Sequence, residues 1–380
     1  MSGPLSGVRV VDLTRALAGP YATMMLADAG ADVVKVERPG SGDDTRGWGP
    51  PFLEPDGADG DRESAYFLSV NRGKRSVELD LKDTRDLERL RALIRDSDVL
   101  VENFRPGVME TLGLGEQQLP ELNARLVVLS ITGFGEGGPD GHRPGFDQIV
   151  QGEGGLMSLT GPLSGPPTKV GVPIADILAG MFGAFGVAAS LHERARSGRG
   201  QWVRTSLLGG MVAVHTFQGT RWLLAGEVPG LSGNRHPTIA PYGAYQCADG
   251  TINIAVGSEG LWHRFARLVG IDPDDDRFAT NSARVQRVDD LEATMGPALA
   301  AGSIDEWMRR LDEAGVPAGR VRSLDEVYGS AQVAHLGLVE EVEHATLGRI
   351  RLPGSPLSYS RSRPDPPLPP PTLGEHNDVV

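Results

Sequence analysis

With 380 residues the chain is long enough for two or three domains and a sizeable core. It carries 37 Lys and Arg against 50 Asp and Glu, a formal charge of −13, which argues against nucleic acid and anionic membranes as partners, because both demand a positive field. The one cysteine, Cys247, excludes an intrachain disulfide and a thiolate cluster, and no charged-then-apolar leader is visible, so a cytoplasmic setting is expected. Only Lys35, Lys74, Lys82 and Lys169 are lysines, so arginine must do most of any anion binding.

The N-terminal half alternates short β-rich runs with helical stretches. Strands are expected at Val8–Asp12, Asp32–Val36, Ser76–Leu79, Val99–Glu102 and Leu126–Ile131, with helices at Tyr21–Ala29 and Asp86–Arg95. Short apolar strands separated by helices imply a parallel sheet buried on both faces. Ligands of such sheets sit beyond the carboxyl ends of the strands, which directs attention to the loops after Asp12, Val36 and Asn103. Residues 132–145 are rich in glycine and proline and read as a mobile loop. A helix of small and apolar residues follows at Met181–Leu191. Gly180, Gly183 and Gly186 would let another backbone approach it. Its uncharged run is shorter than the ~20 residues of a membrane span. A strand at Gln201–Thr205 follows, and a linker helix is assigned across 201–224. The pattern then changes to a hairpin at Ala240–Tyr245 and Thr251–Val256, with helices at Leu261–Val269 and Ile304–Ala314. The expected architecture is α/β: a Rossmann-like large domain at 1–200, a smaller α+β domain at 225–325, and a return segment at 326–380 with a proline-rich stretch.

The opening βαβ unit lacks G-x-G-x-x-G in its first turn, so a nicotinamide or flavin cofactor is not expected. No Gly-Lys-Ser/Thr follows the glycine-rich loop, and no Gly-x-Ser-x-Gly is present. The eight histidines form no ligand-spaced pair, so no metal site is proposed. Two carboxylates stand out, Asp147 and Asp176. Asp176 is the only acid between Glu153 and Glu193 and opens a long uncharged run. It reads either as a helix N-cap or as a functional group whose helix terminus keeps it ionised and whose apolar setting excludes water. The cluster Arg72, Lys74 and Arg75 could attract phosphates.

These segments together carry a resemblance. Pro4–Asp12, Ala18–Pro20, Gly30–Gly40, Asn71–Asp80, Val101–Gly107, Gly145–Asp147, Gly198–Gln201 and Leu373–His376 resemble, in order, the family III CoA-transferases of the CaiB/BaiF type, with acyl-CoA racemases as relatives. The resemblance implies a CoA-binding large domain, an interlocked homodimer, no permanently bound cofactor, and an acyl-CoA plus a small carboxylic acid as substrates. It places the nucleophilic aspartate on Asp176 and CoA contacts on Ala18, Arg38, Leu79, Lys82, Asn103, Phe104 and Asp147. Arg105 and Arg143 join them as cations on the same loops. Exchange would pass through a mixed anhydride and an aspartyl–CoA thioester. An aspartate with the ordinary carboxyl pKa of about 3.9 would need no base at pH 7.

Racemase relatives place histidine before the acid at 147, where this chain has Phe146. Formyl- and oxalyl-specific members have glutamine at the position of Leu17 and a glycine run where this chain reads Ser232–Pro237. The segment His236–Tyr242 instead resembles members using succinyl-CoA or longer acyl groups, so the resemblance implies a succinyl-CoA-like donor, with Leu17 and Phe146 making part of the pocket apolar. The alternatives are a racemase and a non-catalytic acyl-CoA-binding protein.

Overall fold

The computed structural model describes residues 3–55 and 62–378. The chain divides into two compact units, one of Met1–Met157, Lys169–Glu227 and Ala331–Val380, the other of Ser158–Thr168 and Val228–Ser330.

The larger unit is built on a six-stranded parallel sheet. Its strands are β1 (Arg9–Asp12), β2 (Asp32–Glu37), β3 (Lys74–Glu78), β4 (Val99–Glu102), β5 (Val127–Thr132) and β6 (Trp202–Ser206), in spatial order β3-β2-β1-β4-β5-β6. Val10 pairs with Val33 on one side and Val99 on the other. Alternate residues bury against opposite faces, as a parallel sheet covered on both sides requires. Val10, Val33, Val99, Val127 and Leu129 pack with α1 (Ala18–Asp28) and α5 (Ile174–Ser197). Val11, Val34, Leu100 and Val128 pack against Leu90 and Ile94 of α3 (Thr84–Arg95). The strand order reverses between β1 and β4, so the crevice for a ligand opens between the loops after Asp12 and Glu102.

Two further helices frame the site. They are α2 (Ala65–Val70) and α4 (Asp147–Glu153). The 24-residue α5 extends well beyond the Met181–Leu191 core read from sequence. It begins after Pro173 and stops at Gly198, whose φ of 75° ends the helix. Its glycines are contact points. A Cβ at Gly180 would lie 2.6 Å from the Ala18 carbonyl oxygen, and one at Gly186 would lie 2.6 Å from Val203 Cγ1. By length and composition α5 could cross a membrane, but Ala175, Ala179, Gly183 and Val187 bury one face against the unit's core.

The 201–224 segment is not a linker helix. It opens as the edge strand β6 and continues as α6 (Leu207–Ala213) and α7 (Thr216–Ala225). Trp202, Val203 and Thr205 suit the pleat, and Ser206 then caps α6 through the Gly209 N–H.

In the smaller unit β7 (Tyr242–Cys247), β8 (Gly250–Ala255) and β9 (Ala318–Arg320) form an antiparallel sheet. It packs on α8 (Glu259–Leu268), α9 (Val288–Ala301) and α10 (Ile304–Glu313) through Trp262, Phe265, Leu291, Leu299 and Trp307. The segment 158–168 belongs to this unit, which the sequence had confined to 225–325. The return segment carries an unforeseen hairpin, β10 (Val339–His344) and β11 (Gly348–Pro353). It ends beside β3, where His376 N–H donates to the Ser76 carbonyl and Asn377 Oδ1 accepts from the Glu78 N–H at 2.7 Å.

Candidate active site

A cavity of about 590 Å³ occupies the switch point of the large unit. Arg38, Leu79, Lys82, Phe104 and Arg105, five of the residues marked from sequence, line it together. Arg38 follows the end of β2, and Phe104 and Arg105 follow β4, so the strand ends themselves aim these side chains. Three cations around an apolar floor suit an anionic ligand with a flat ring, and a guanidinium can fork onto phosphate. Arg15, Lys35 and Asp43 also line this cavity and were not marked. The lysine within Val33-Val34-Lys35-Val36 was a legible signal, since a charge inside a fully buried strand requires a partner.

The other marked residues are placed differently. The Asn103 side chain holds the Arg15 main chain, accepting its N–H at 3.0 Å and donating to its carbonyl at 2.8 Å. Leu17 and Ala18 are buried where α1 begins. Arg143 is engaged by Asp140 and Glu153 and stacks on Phe134 at 4.4 Å. Phe146 precedes α4 and is 61% exposed. Arg72, Lys74 and Arg75 are ion-paired to Asp28, Asp12 and Asp32, so they hold the fold together rather than stand open to phosphate.

Asp176 is the third residue of α5, not its cap. The cap position is Pro173, which offers no side-chain bond, and Asp147 supplies it from α4 instead. Asp147 Oδ1 accepts the Ala175 N–H at 2.8 Å, and Oδ2 accepts from Gln151 Nε2 at 2.7 Å. Asp147 is therefore a structural anchor that sets a second negative charge beside Asp176. Burial, and then the repulsion of Asp147, push the Asp176 carboxyl from 3.8 up to about 7. The ordinary value assumed from sequence does not hold, because these two effects outweigh the pull of the helix terminus. A carboxyl poised near neutrality in a sheltered setting is a candidate for chemistry.

Tyr66 on α2, unmarked from sequence, lies in the same field. Burial comes first, and the charges of Asp176, Asp147 and Asp43 add to it, raising its hydroxyl to about 12. It stays a neutral donor, held edge-on by Trp48 at 5.1 Å between ring centres. Tyr66 thus lies within the field of Asp43, on the cavity wall, and of Asp176. Nothing in the chain pattern foretold this, since Asp43 and Tyr66 lie more than a hundred positions before Asp176.

The chain belongs to CoA-transferase family III, whose model it matches over residues 5–377. It is a CoA-transferase of that family. It is 41% identical over 387 aligned residues to the succinate–glutarate CoA-transferase of Agrobacterium fabrum, spanning 99% of this chain and 94% of that one. It is 39% identical to the succinyl-CoA:glutarate CoA-transferase of Mus musculus, over 98% of this chain and 84% of that one. Among solved structures, a CaiB/BaiF family protein from Brucella suis superposes with a TM-score of 0.88 at 38% identity, covering 99% of this chain and 98% of that one.

Proposed function

We propose that the protein moves CoA from a succinyl-CoA-like thioester to a small carboxylic acid, with Asp176 as the covalent carrier. The observation that carries this reading is the Asp176 carboxyl at the start of α5, held beside Asp147 and raised to about 7. Asp176 attacks the thioester carbonyl, the C–S bond breaks, and the CoA thiolate leaves behind a mixed anhydride. The thiolate then attacks the aspartyl carbon. The anhydride C–O bond breaks, the donor acid departs, and an aspartyl–CoA thioester remains. The acceptor carboxylate attacks that thioester, expels the thiolate and forms the second anhydride. Thiolate attack on the acceptor's acyl carbon regenerates Asp176 and releases the new acyl-CoA. No step requires a separate base, because each nucleophile reacts as an anion.

Arg38, Lys82 and Arg105 hold the CoA phosphates, and Leu79 and Phe104 supply apolar contact. The relatives act on succinyl-CoA and glutarate, which favours a dicarboxylic acceptor. Phe146, in place of a base before Asp147, disfavours a racemase. The working form is an interlocked homodimer, supported by the apolar surface of α5 and α7, where Phe185 and Trp222–Leu224 are exposed. Incubation with succinyl-CoA, followed by hydroxylamine trapping and peptide mass spectrometry, tests the reading. The expected result is an adduct on Asp176. An adduct elsewhere, or none with a turning-over donor, overturns it.

A further inference from the structure

The turn between β1 and α1 is held in a conformation that it would not choose. Among the described residues only Ala16 and Thr216 combine a side chain with a positive φ, and Ala16 sits at 66° in this turn. The left-handed region disfavours an L-residue, so the surroundings must impose it. Four hydrogen bonds do so in sequence. Lys35 Nζ donates to the Thr14 carbonyl at 2.8 Å, and Asn103 takes both the N–H and the carbonyl of Arg15. The Ala16 N–H donates to Asp43 Oδ1 at 3.2 Å.

Asp43 is itself fixed. Its Oδ1 accepts from the Thr45 N–H and hydroxyl at 2.9 and 2.8 Å. Its Oδ2 faces the Lys35 ammonium at 2.8 Å as an ion pair, both side chains fully buried. The turn therefore bridges the strand-order reversal: Asn103 reaches it from β4, and Lys35 and Asp43 reach it from β2 and the loop beyond. Thr14 and Arg15 of the turn, with Lys35 and Asp43, form one wall of the ligand cavity.

We infer that the Lys35–Asp43 pair and Asn103 are positioning residues that clamp the Thr14–Leu17 turn so that the CoA cavity is preformed before the ligand arrives. This rests on the CoA-transferase reading of the cavity. It gives Asn103 a role through its side chain that differs from direct CoA contact. A preformed wall spares the ligand the work of forcing Ala16 into the left-handed region, so loss of the clamp appears as weaker CoA binding.

The test is titration calorimetry with free CoA, joined to steady-state kinetics and thermal melting. Asp43→Asn keeps the shape and loses the charge that Lys35 holds. It should weaken CoA by about five- to thirtyfold, the factor by which a left-handed L-residue is disfavoured. KM for the acyl-CoA should rise with it, while kcat stays within about threefold, since Asp176 rides on α5 and not on the turn. Adding Ala16→Gly to that variant should restore part of the lost affinity, because glycine takes a positive φ without strain. A purely structural role predicts a lower melting temperature with unchanged CoA affinity, and that result overturns the inference. A double variant that binds no better than Asp43→Asn also overturns it. If Asp43→Asn does not fold, Asn103→Ala releases the turn from its other side and must show the same loss and the same rescue by Ala16→Gly. Failure of the wild type to bind CoA would instead remove the reading of the cavity itself.

Discussion

Replacing Asp147 with asparagine removes one negative charge beside Asp176 and keeps the side-chain shape. The amide oxygen can still accept the Ala175 N–H. The bond from Gln151 Nε2 is lost, at a cost of about 1 kcal/mol in stability. The Asp176 carboxyl stands at about 7 against an ordinary 3.8, and burial is the larger of the two causes. Asp147 therefore accounts for less than half of the rise, and its removal should lower the Asp176 value by at most about 1.5 pH units. In the proposed mechanism the reacting form is the carboxylate, so kcat/KM climbs with pH through the free enzyme's value. In the wild type this limb is centred near pH 7, and in Asp147→Asn it should move toward acid. At pH 6 about a tenth of wild-type Asp176 is ionised; a variant centred near pH 6 has about half, and so runs roughly fivefold faster there. The assay is single-turnover release of CoA from succinyl-CoA between pH 5 and 9, read by quenched flow. A limb that stays at its wild-type position, or moves to higher pH, refutes the coupling of the two carboxylates.

Arg38→Ala should raise KM for the acyl-CoA by about 10- to 100-fold with little change in kcat, the worth of a charged hydrogen bond to phosphate, and added salt should narrow the gap. Gly180→Ala should lower stability by about 1–3 kcal/mol in denaturant melts, because the new methyl meets the Ala18 carbonyl at 2.6 Å and neither backbone can yield without moving α5. Asp176→Asn should abolish turnover yet melt higher than wild type at pH 8. A raised carboxyl contributes its full stability below pH 3.8 and loses it as pH climbs through about 7, a loss of up to about 4 kcal/mol that asparagine does not suffer. The two melting curves should converge below pH 4, and parallel curves would count against the raised value.

Much of the fold was legible because its signals are local. Val99–Glu102 is a strand in chain and in structure alike, and Asp32–Val36 differs from the observed strand by one residue. Short apolar runs of this kind have little alternative to a parallel sheet covered on both faces. The full length of α5 was not legible. Its glycines weaken helix propensity, and only packing against Ala18, Leu129 and Val203 explains why they belong there. The segment 201–224 hid a strand followed by two helices because Trp202–Ser206 is short and the small apolar residues after it carry a helical signal. In the site, topology pointed to the loops after Val36 and Asn103, and on them the resemblance singled out Arg38 and Phe104, with Arg105 added as a cation on the same loop. Lys35 signalled only that a partner was needed, and Tyr66 and Asp43 could not be placed, since their roles depend on contacts across the sheet. The environment of Asp176 was hidden for the same reason: no acid lies near it in the chain, but Asp147 arrives from a different helix.

In the proposed exchange the burden on Asp176 also shapes the intermediates. Anhydride and thioester are both uncharged at this side chain, so neither suffers the burial and the repulsion from Asp147 that act on the carboxylate. A rise of about three pH units corresponds to about 4 kcal/mol by which the site disfavours the free carboxylate relative to any neutral derivative. An acyl anhydride is a reactive species, and lifting the energy of the free enzyme shortens the climb to it. The same argument fixes a pH dependence. Below pH 7 protonation relieves the free enzyme, and the balance moves back from the acyl forms. Asp147→Asn removes the smaller part of the burden, under about 2 kcal/mol, so the ratio of enzyme–CoA thioester to free enzyme should fall by roughly tenfold at pH 8. Incubation with succinyl-CoA and succinate at fixed ratio, acid quench and intact-mass measurement read that ratio directly. An unchanged or increased thioester fraction in the variant would show that Asp147 does not load the carboxylate, and that its place beside α5 is anchorage alone.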